Sequence, residues 1–330
     1  MAVTNIKIIL PPNFLPILLK KMFQQKHIIE SHPLPEKLGK VIEYYSTTNP
    51  VHFYSLTNQL PLEDLAYVKK VEEHLLSFNQ LMIEMGKDFN YGLDCYNHKI
   101  CDIIEEQIQF MQSGKYSHSS FDEVNKNVYN NPEVMEYHTI GLLLMQILRV
   151  NNYKKLNDFI SIISKRKRTI KKYLEIAGGH GLYTLEVCKI LKHNAVIDFI
   201  DISEVSIQIA KSFLKGWNAR FHHQNIFNYE PEIKYDFITL GEILEHLDDP
   251  RELLLKTKSM LTDEGLCFIT IPINMPAIDH IYLFKDKHEI RTMICSAGLK
   301  IVGDFVAPEY KGNHHNQANL PHSYWAVVSK

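Results

Sequence analysis

A chain of 330 residues is too long for one ordinary hydrophobic core and calls for about two domains. Its 45% hydrophobic and 22% charged residues describe a globular protein and exclude a disordered or collagen-like one. With 36 lysines and arginines against 38 aspartates and glutamates the formal net charge is -2, so the basic excess needed for phosphate-backbone binding is missing and nucleic acid is a poor candidate partner.

The opening "MAVTNIKIILPPNF" has too short an apolar core before its prolines for a signal peptide. The longest apolar run, Ile140 to Val150, falls well short of the roughly 20 residues that span a bilayer, so no membrane role is expected. Cys95, Cys101, Cys188, Cys267 and Cys295 contain no C-x-x-C and read as reduced thiols in a cytoplasmic protein. Up to about residue 165 the apolar residues recur at helical spacing. "LEDLAYVKKVEEHLLSFNQLMIEM" is the clearest case, with Leu62, Leu65, Val68, Leu75, Leu76, Met82 and Met85 on an apolar stripe and Lys69, Lys70, Glu72 and Glu73 between them. Further helices are expected over 14–30, 36–46, 98–113, 132–149 and 153–165, punctuated by "SHPLP", "TTNP" and "NNP". Tyr137 and His138 read as helix-packing residues or, if their helix roofs a pocket, as substrate contacts.

The basic run "SKRKRTIKK" is read as a solvated linker. Beyond it, short apolar strands are expected at 173–177, 195–200, 219–222, 235–240, 265–271, 299–306 and 323–328, with helices near 182–192, 204–217, 249–261 and 286–297. That alternation predicts an α/β fold with helices on both faces of a parallel sheet. The chain therefore divides into a mostly helical domain, residues 1–165, and an α/β domain, residues 166–330.

The first strand runs into "YLEIAGGHGLYT", where glycines allow close backbone approach to a ligand at the strand's carboxyl end. Glu175, inside the strand, is poorly placed for a pure core and suggests a cation or hydroxyl above it. Asp201 ends the second strand about twenty residues beyond the last glycine, where a carboxylate can accept both hydroxyls of a ribose. These features suit either a nicotinamide dinucleotide or another adenosine-bearing cofactor. The dinucleotide pattern G-x-G-x-x-G places Thr184 where its third glycine belongs.

"LEIAGGHGLYT" resembles the first motif of class I S-adenosylmethionine (SAM) methyltransferases, E/D-x-G-x-G-x-G, with Ala177 in place of the first glycine. "HHQNIF" and "YDFITLGEILEHLDDPRELLLKTKSMLTDEGLCFIT" resemble the same family's adenine-edge segment and its fourth strand, following helix and fifth strand. The resemblance covers about residues 170–330. It implies a Rossmann-like doubly wound sheet of about seven strands and SAM as cofactor. The implied cofactor residues are Glu175, Ala177, Gly178, Gly179, Gly181, Asp201, Ile202, Asn225, Ile226 and Gly241.

Methyl transfer from a sulfonium is an in-line displacement, so an enzyme must align the acceptor and remove its proton where needed. After the fourth strand the chain lacks the N/D-P-P-Y sequence of amide and base methylases and reads Glu242-x-x-Glu245-His246. Spacings of three and four put these side chains on one side of a helical turn, and His280 follows in "AIDHIYLF". The constellation resembles both ubiquinone-biosynthesis-type O-methyltransferases and metal-dependent RNA 2′-O-methyltransferases. In the latter, two glutamates and two histidines bind a divalent ion; here Glu242, Glu245, His246 and His280 would hold Mg, Mn, Fe or Zn. His246 or His280 as general base, or the glutamates as cofactor-positioning residues, are the alternatives. The resulting expectation is a SAM-dependent methyltransferase acting on an oxygen of a small-molecule metabolite. The helical domain would serve as lid, specificity element and homodimer contact. An NAD-dependent oxidoreductase, an RNA 2′-O-methyltransferase and a non-enzymatic SAM- or partner-binding module are the competing readings. The pair His314-His315 falls in a polar loop expected to be solvated or to cover a substrate.

Overall fold

The structure, a computed structural model, describes residues 34–62, 64–309 and 320–330. The helix expected over 14–30 and the His314-His315 pair lie outside these residues. The described chain groups into two compact units. Residues up to Leu76 with Leu148–Val150 form one, and Ser77–Ile147 with Asn151–Lys330 the other. The division expected at residue 165 thus falls inside the second unit. There the helix Val150–Arg166 buries Phe159 against Tyr183 and Phe268, at ring separations of 4.8 and 5.3 Å, and so shares the core of the sheet.

In the first unit the expected break at "TTNP" is a joint between two helices, Glu36–Thr48 and Pro50–Gln59. Asn49 caps the second by accepting from the His52 amide at 3.0 Å, and Pro50 supplies a preset first turn. Glu72 accepts the Lys37 and Leu38 amides, each at 2.9 Å, and closes the start of the first helix. The amphipathic helix Leu65–Glu84, whose residues from Ser77 onward are counted with the second unit, buries Val68, Val71, Leu75, Phe78 and Met82, while Leu65 and Leu76 of the expected stripe stand exposed.

The second unit begins its helical part with Phe89–Ser113, which starts earlier than expected because Asp88 accepts the Tyr91 amide at 2.7 Å; Gly114, at φ 68°, ends it. A short helix Phe121–Val124 runs into a π-helical turn Asn125–Tyr129, and the helix Pro132–Leu148 follows. The seven expected strands are present: β1 Lys172–Ile176, β2 Val196–Asp201, β3 Arg220–His223, β4 Tyr235–Gly241, β5 Leu261–Ile273, β6 Lys300–Pro308 and β7 His322–Ser329. Their order is β3-β2-β1-β4-β5-β7-β6. The pairs among β1 to β5 are parallel, but β7 runs antiparallel to both β5 and β6, so the sheet is mixed rather than parallel throughout. Between β6 and β7 there is no crossover helix among the described residues, and a parallel return requires a crossover.

Strand alternation separates two cores. Leu174, Ile176, Ile238, Leu240, Ile269 and Ile271 face one way, packed with Leu253 and Leu254 of the helix Pro250–Met260 and Ile290 of the helix Lys287–Ser296. Tyr173, Phe237 and Phe268 join an aromatic cluster with Phe159 and Tyr183. Because β1, β2, β4 and β5 are parallel, the turns at 177–181, 202–203, 242–246 and 274–280 all leave the same end of the sheet, where ligands gather in such folds.

Toward the sheet edge, fully buried Asp198 accepts Arg220 Nε at 2.8 Å and its Nη2, the Tyr235 hydroxyl at 2.9 Å, and lies 2.7 Å from His222 Nε2. Burial works against its charge, but the Arg220, His222 and Tyr235 bonds outweigh it and hold the carboxyl below its ordinary range. A depressed acid contributes stability above its unfolded pKa of about 3.9 and loses it as pH falls through the folded value. Asp198→Asn is therefore expected to cost about 2 kcal/mol at pH 7. In denaturant titrations the gap to wild type should close as pH is lowered below about 4.

Candidate active site

After β1 the backbone passes through left-handed conformations at every second residue: Ala177 at φ 52°, Gly179 at 53° and Gly181 at 78°. This alternation is the physical reason for glycine at alternate places, since only glycine enters that region without a Cβ penalty. Gly178 answers a different need, because a Cβ there would stand 2.1 Å from the Phe199 ring. Ala177 carries about 1 kcal/mol of left-handed strain. Ala177→Gly should therefore raise the melting temperature by about 1–3 °C after the entropy of the unfolded chain is counted. A lower melting temperature in calorimetry would show the alanine to be relaxed.

The hydroxyl expected above Glu175 belongs to this chain. Thr184, at the place of a third dinucleotide glycine, donates its amide to the carboxylate at 2.9 Å and its hydroxyl to the same oxygen. Burial pushes the Glu175 carboxyl up to about 8 despite these donors. His180, at the tip of the turn, accepts the Leu182 amide on Nδ1 at 3.2 Å, and burial lowers its pKa to about 4, so it is a neutral cap for the helix Leu182–Leu191. Asp201 takes the Gly179 amide at 2.9 Å on one oxygen and the Ser203 amide at 2.8 Å on the other, tying the end of β2 to the glycine turn.

A pocket of about 250 Å³ opens beside this turn, lined by Ala177, Asp201, Ile202, Asn225 and Ile226 among the expected cofactor residues. Glu175, Gly178, Gly179, Gly181 and Gly241 do not line it; they shape the turn behind it, Gly241 ending β4 against the Tyr183 ring. Phe121, Ile243, Leu247 and Asp248 are among the other lining residues and lie outside the set that the sequence motifs name. Leu247 and Asp248 follow directly on the E-x-x-E-H run, but nothing in the local sequence around Phe121 marks it. Its amide donates to Asp248 Oδ1 at 3.2 Å, across 127 residues of chain. The neighbouring histidines are structural in this arrangement: His222 meets Asp198, and His223 lies 3.0 Å from the Ile202 carbonyl.

The segment 242–246 is not the helical turn that its spacing suggests. Glu242 sits in the left-handed region at φ 52°, and Leu244–His246 forms a 3-10 turn. Glu242 consequently parts from the others and pairs with Lys155 Nζ at 2.9 Å. Burial opposes its charge, yet Lys155 prevails and holds the carboxyl below its ordinary value. The loop after β5 brings in the remaining residue: Asn274 is pinned to Phe284 and Lys285, and the Ile281 and Tyr282 amides both donate to the Glu245 carbonyl at 2.9 Å. His280 thereby arrives beside Glu245 and His246, with one ligand atom from each of the three within 4.8 Å of one another.

The Glu245 carboxylate is fully buried, and neither oxygen has a hydrogen-bond partner among the described residues. His246 Nε2 lies 3.6 Å from it and His280 Nε2 3.9 Å. The other ring nitrogens face backbone carbonyls at 2.7 Å, His246 Nδ1 that of Asp279 and His280 Nδ1 that of Met275. A carbonyl only accepts, so each Nδ1 carries a proton, and each Nε2 is the ring nitrogen turned toward the carboxylate. Burial and the neighbouring Glu242 raise the Glu245 carboxyl well above its usual range, and burial lowers His280 to about 3. Tyr116 stands 5.7 Å from the His280 ring, and the Tyr129 hydroxyl lies 3.0 Å from His246 Nδ1. Tyr137 is a packing residue, stacked on His98 at 3.8 Å and donating to Asp102 at 3.0 Å.

A family model described as a methyltransferase domain matches residues 148–302. Malonyl-[acyl-carrier protein] O-methyltransferase 1 of Ilyobacter polytropus is 29% identical over 113 residues, 34% of this chain and 42% of that protein. Ubiquinone biosynthesis O-methyltransferase of Coxiella burnetii is 29% identical over 112 residues, 32% of this chain and 46% of that protein. The chain thus spans less than half the length of these two relatives. Its counterpart from Haemophilus ducreyi is 26% identical over 176 residues, 47% of this chain and 72% of that protein. Among solved structures, the N-methyltransferase NodS of Bradyrhizobium japonicum with S-adenosyl-L-homocysteine aligns with a TM-score of 0.46 at 14% identity, over 64% of this chain and 99% of that one. Taken with the β3-β2-β1-β4-β5-β7-β6 sheet and the glycine turn leading to Asp201, the match marks residues 148–302 as a methyltransferase domain similar to those of class I SAM-dependent methyltransferases.

Proposed function

We propose that the protein transfers the methyl group of SAM to an oxygen of a small metabolite, at a centre where Glu245, His246 and His280 hold a divalent ion. The observation that carries this reading is the buried Glu245 carboxylate with both oxygens unpartnered among the described residues, faced by the Nε2 atoms of two imidazoles. An uncompensated buried carboxylate is costly, and a cation held by Glu245, His246 and His280 would remove that cost. The residues fit such an ion: one hard oxygen ligand and two imidazoles suit Mn, Fe or Zn better than Mg. Each imidazole is held from behind by a carbonyl, as metal-bound histidines commonly are.

A bound ion would supply positive charge that favours the ionised form of an acceptor hydroxyl. The protein's own groups would do the rest. Asp201 retains lone pairs for ribose hydroxyls, and Ile202 and Ile226 offer apolar walls for the adenine. Tyr116 and Tyr129 wall the histidine centre, and Phe121 lines the cofactor pocket. These three aromatics come from the helical segment that precedes the sheet, which supports the view that this segment closes the site and shapes specificity. Oxygen as the acceptor rests on the O-methyltransferase relatives. Five free thiols support a reducing, cytoplasmic setting, and among the described residues no helix is long and apolar enough to cross a membrane.

Metal analysis of the purified protein, together with calorimetry against SAM, S-adenosylhomocysteine and NAD, tests the reading. A single divalent ion per chain and SAM binding without NAD binding are the supporting results. Full methyl transfer by a metal-free protein would remove the ion from the proposal. Binding of NAD in preference to SAM would overturn the rest.

A further inference from the structure

Behind His246 lies a chain of buried charged and polar side chains that the methyl-transfer reading does not use. Lys99, on the helix Phe89–Ser113, is 2% exposed and places Nζ 3.2 Å from His138 Nδ1. His138, on the helix Pro132–Leu148, is equally buried and places Nε2 3.3 Å from Asp279 Oδ2. Asp279 meets His246 Nδ1 twice, through its carbonyl at 2.7 Å and its carboxylate at 3.6 Å. The helices are built for this approach: a Cβ on Gly141 would fall 2.8 Å from Lys99 Cβ and 2.9 Å from the Cys95 carbonyl, so glycine lets them cross where Lys99 enters.

The direction of the hydrogen bonds follows from the donors. An ammonium can only donate, so Lys99 occupies the His138 Nδ1 lone pair and the His138 proton must sit on Nε2. From there it is donated to the Asp279 carboxylate. Lys99, His138 and Asp279 are all buried, so no bulk water competes for these contacts. Asp279 is thus fixed with carboxylate and carbonyl both toward His246 Nδ1. Tyr129 competes for that nitrogen at 3.0 Å and would accept a different tautomer if Asp279 moved.

We propose that Lys99 and His138, both outside the span matched by the methyltransferase-domain model, are positioning residues that set the tautomer and orientation of His246 through Asp279. The role deepens the function proposed above and rests on it for its purpose, because an Nε2 lone pair aimed at Glu245 is what an ion or an acceptor proton needs. Lys99 and His138 themselves touch neither cofactor nor the Glu245 centre.

Long-range 1H–15N spectra of the whole protein report imidazole tautomers directly, with His246→Gln used to assign the His246 signals. Wild type is expected to show the Nδ1–H form at His246. His138→Leu should turn it into a mixture of tautomers. His138→Gln should restore the wild-type signal, because glutamine can accept from Lys99 and donate to Asp279. In parallel, Zn2+ affinity measured by calorimetry should fall about tenfold or more in His138→Leu and recover in His138→Gln. SAM affinity serves as the folding control. An unchanged His246 signal in a folded His138→Leu protein overturns the proposal. If wild type binds no zinc while the tautomer still responds, the metal reading fails and the positioning role stands.

Discussion

Glu245→Gln is expected to abolish binding of the proposed divalent ion while leaving SAM affinity within about twofold, since the amide keeps the shape of the side chain but not its charge. In any assay in which wild type turns over, methyl transfer should fall by roughly two to three orders of magnitude, equivalent to about 3–4 kcal/mol of transition-state stabilisation. The side chain is fully buried, so the direction of the stability change separates two cases. With the ion in place, the variant loses its ligand and is destabilised. In a protein that never holds an ion, glutamine replaces an acid whose charge burial already opposes, and stability should hold or rise. Thermal unfolding with and without a chelator distinguishes them: wild type should fall toward the variant when chelator is added, and the variant should not respond. A wild type indifferent to chelator and a fully active Glu245→Gln protein together would remove the metal centre.

Asp201→Ala carries the second large effect. Hydrogen bonds to a charged group contribute about 1.5–3 kcal/mol, so loss of the carboxylate should weaken SAM roughly 10- to 100-fold. The same oxygens hold the Gly179 and Ser203 amides, so part of the loss will reach the cofactor through a looser glycine turn. Adenosine measured beside SAM bears on the site: both contain the ribose and should weaken together, whereas methionine gives no change. SAM affinity equal to wild type would take Asp201 out of the cofactor site.

The alternation of strands and helices after residue 170 could be read because each strand is a short, nearly continuous apolar run between polar turns, the pattern of a sheet covered on both faces. Glycines at 179 and 181 were legible for a local reason, since a left-handed backbone leaves its mark on residue type. Ala177 shows the limit of that rule: the conformation persists there without the glycine. The antiparallel direction of β7 was not legible, because burial alternates identically in either direction and only the pairing partners set the sense.

The candidate site divides along the same line. Asp201, Glu245, His246 and His280 could be named because chemically distinctive side chains stood at the ends of recognisable strands or close to them in the chain. Their grouping could not be derived from spacing. A helical turn over 242–246 would have kept Glu242 in the cluster; the left-handed residue and the 3-10 turn that replaced it follow from the loop 274–285 docking on the Glu245 carbonyl. Lys99 and His138 were harder still, since a lysine on a helix and a histidine before an apolar run each satisfy local amphipathic patterning whether or not they meet. Local residue preferences therefore settled the class of fold, the cofactor turn and the inventory of reactive groups. Which of those groups share a site, and which buried charges stand behind them, depended on contacts between segments far apart along the chain, such as Lys99 to His138, 39 residues apart, and His138 to Asp279, 141 apart. Such contacts are chosen by packing of the whole domain, and no window of neighbouring residues contains them.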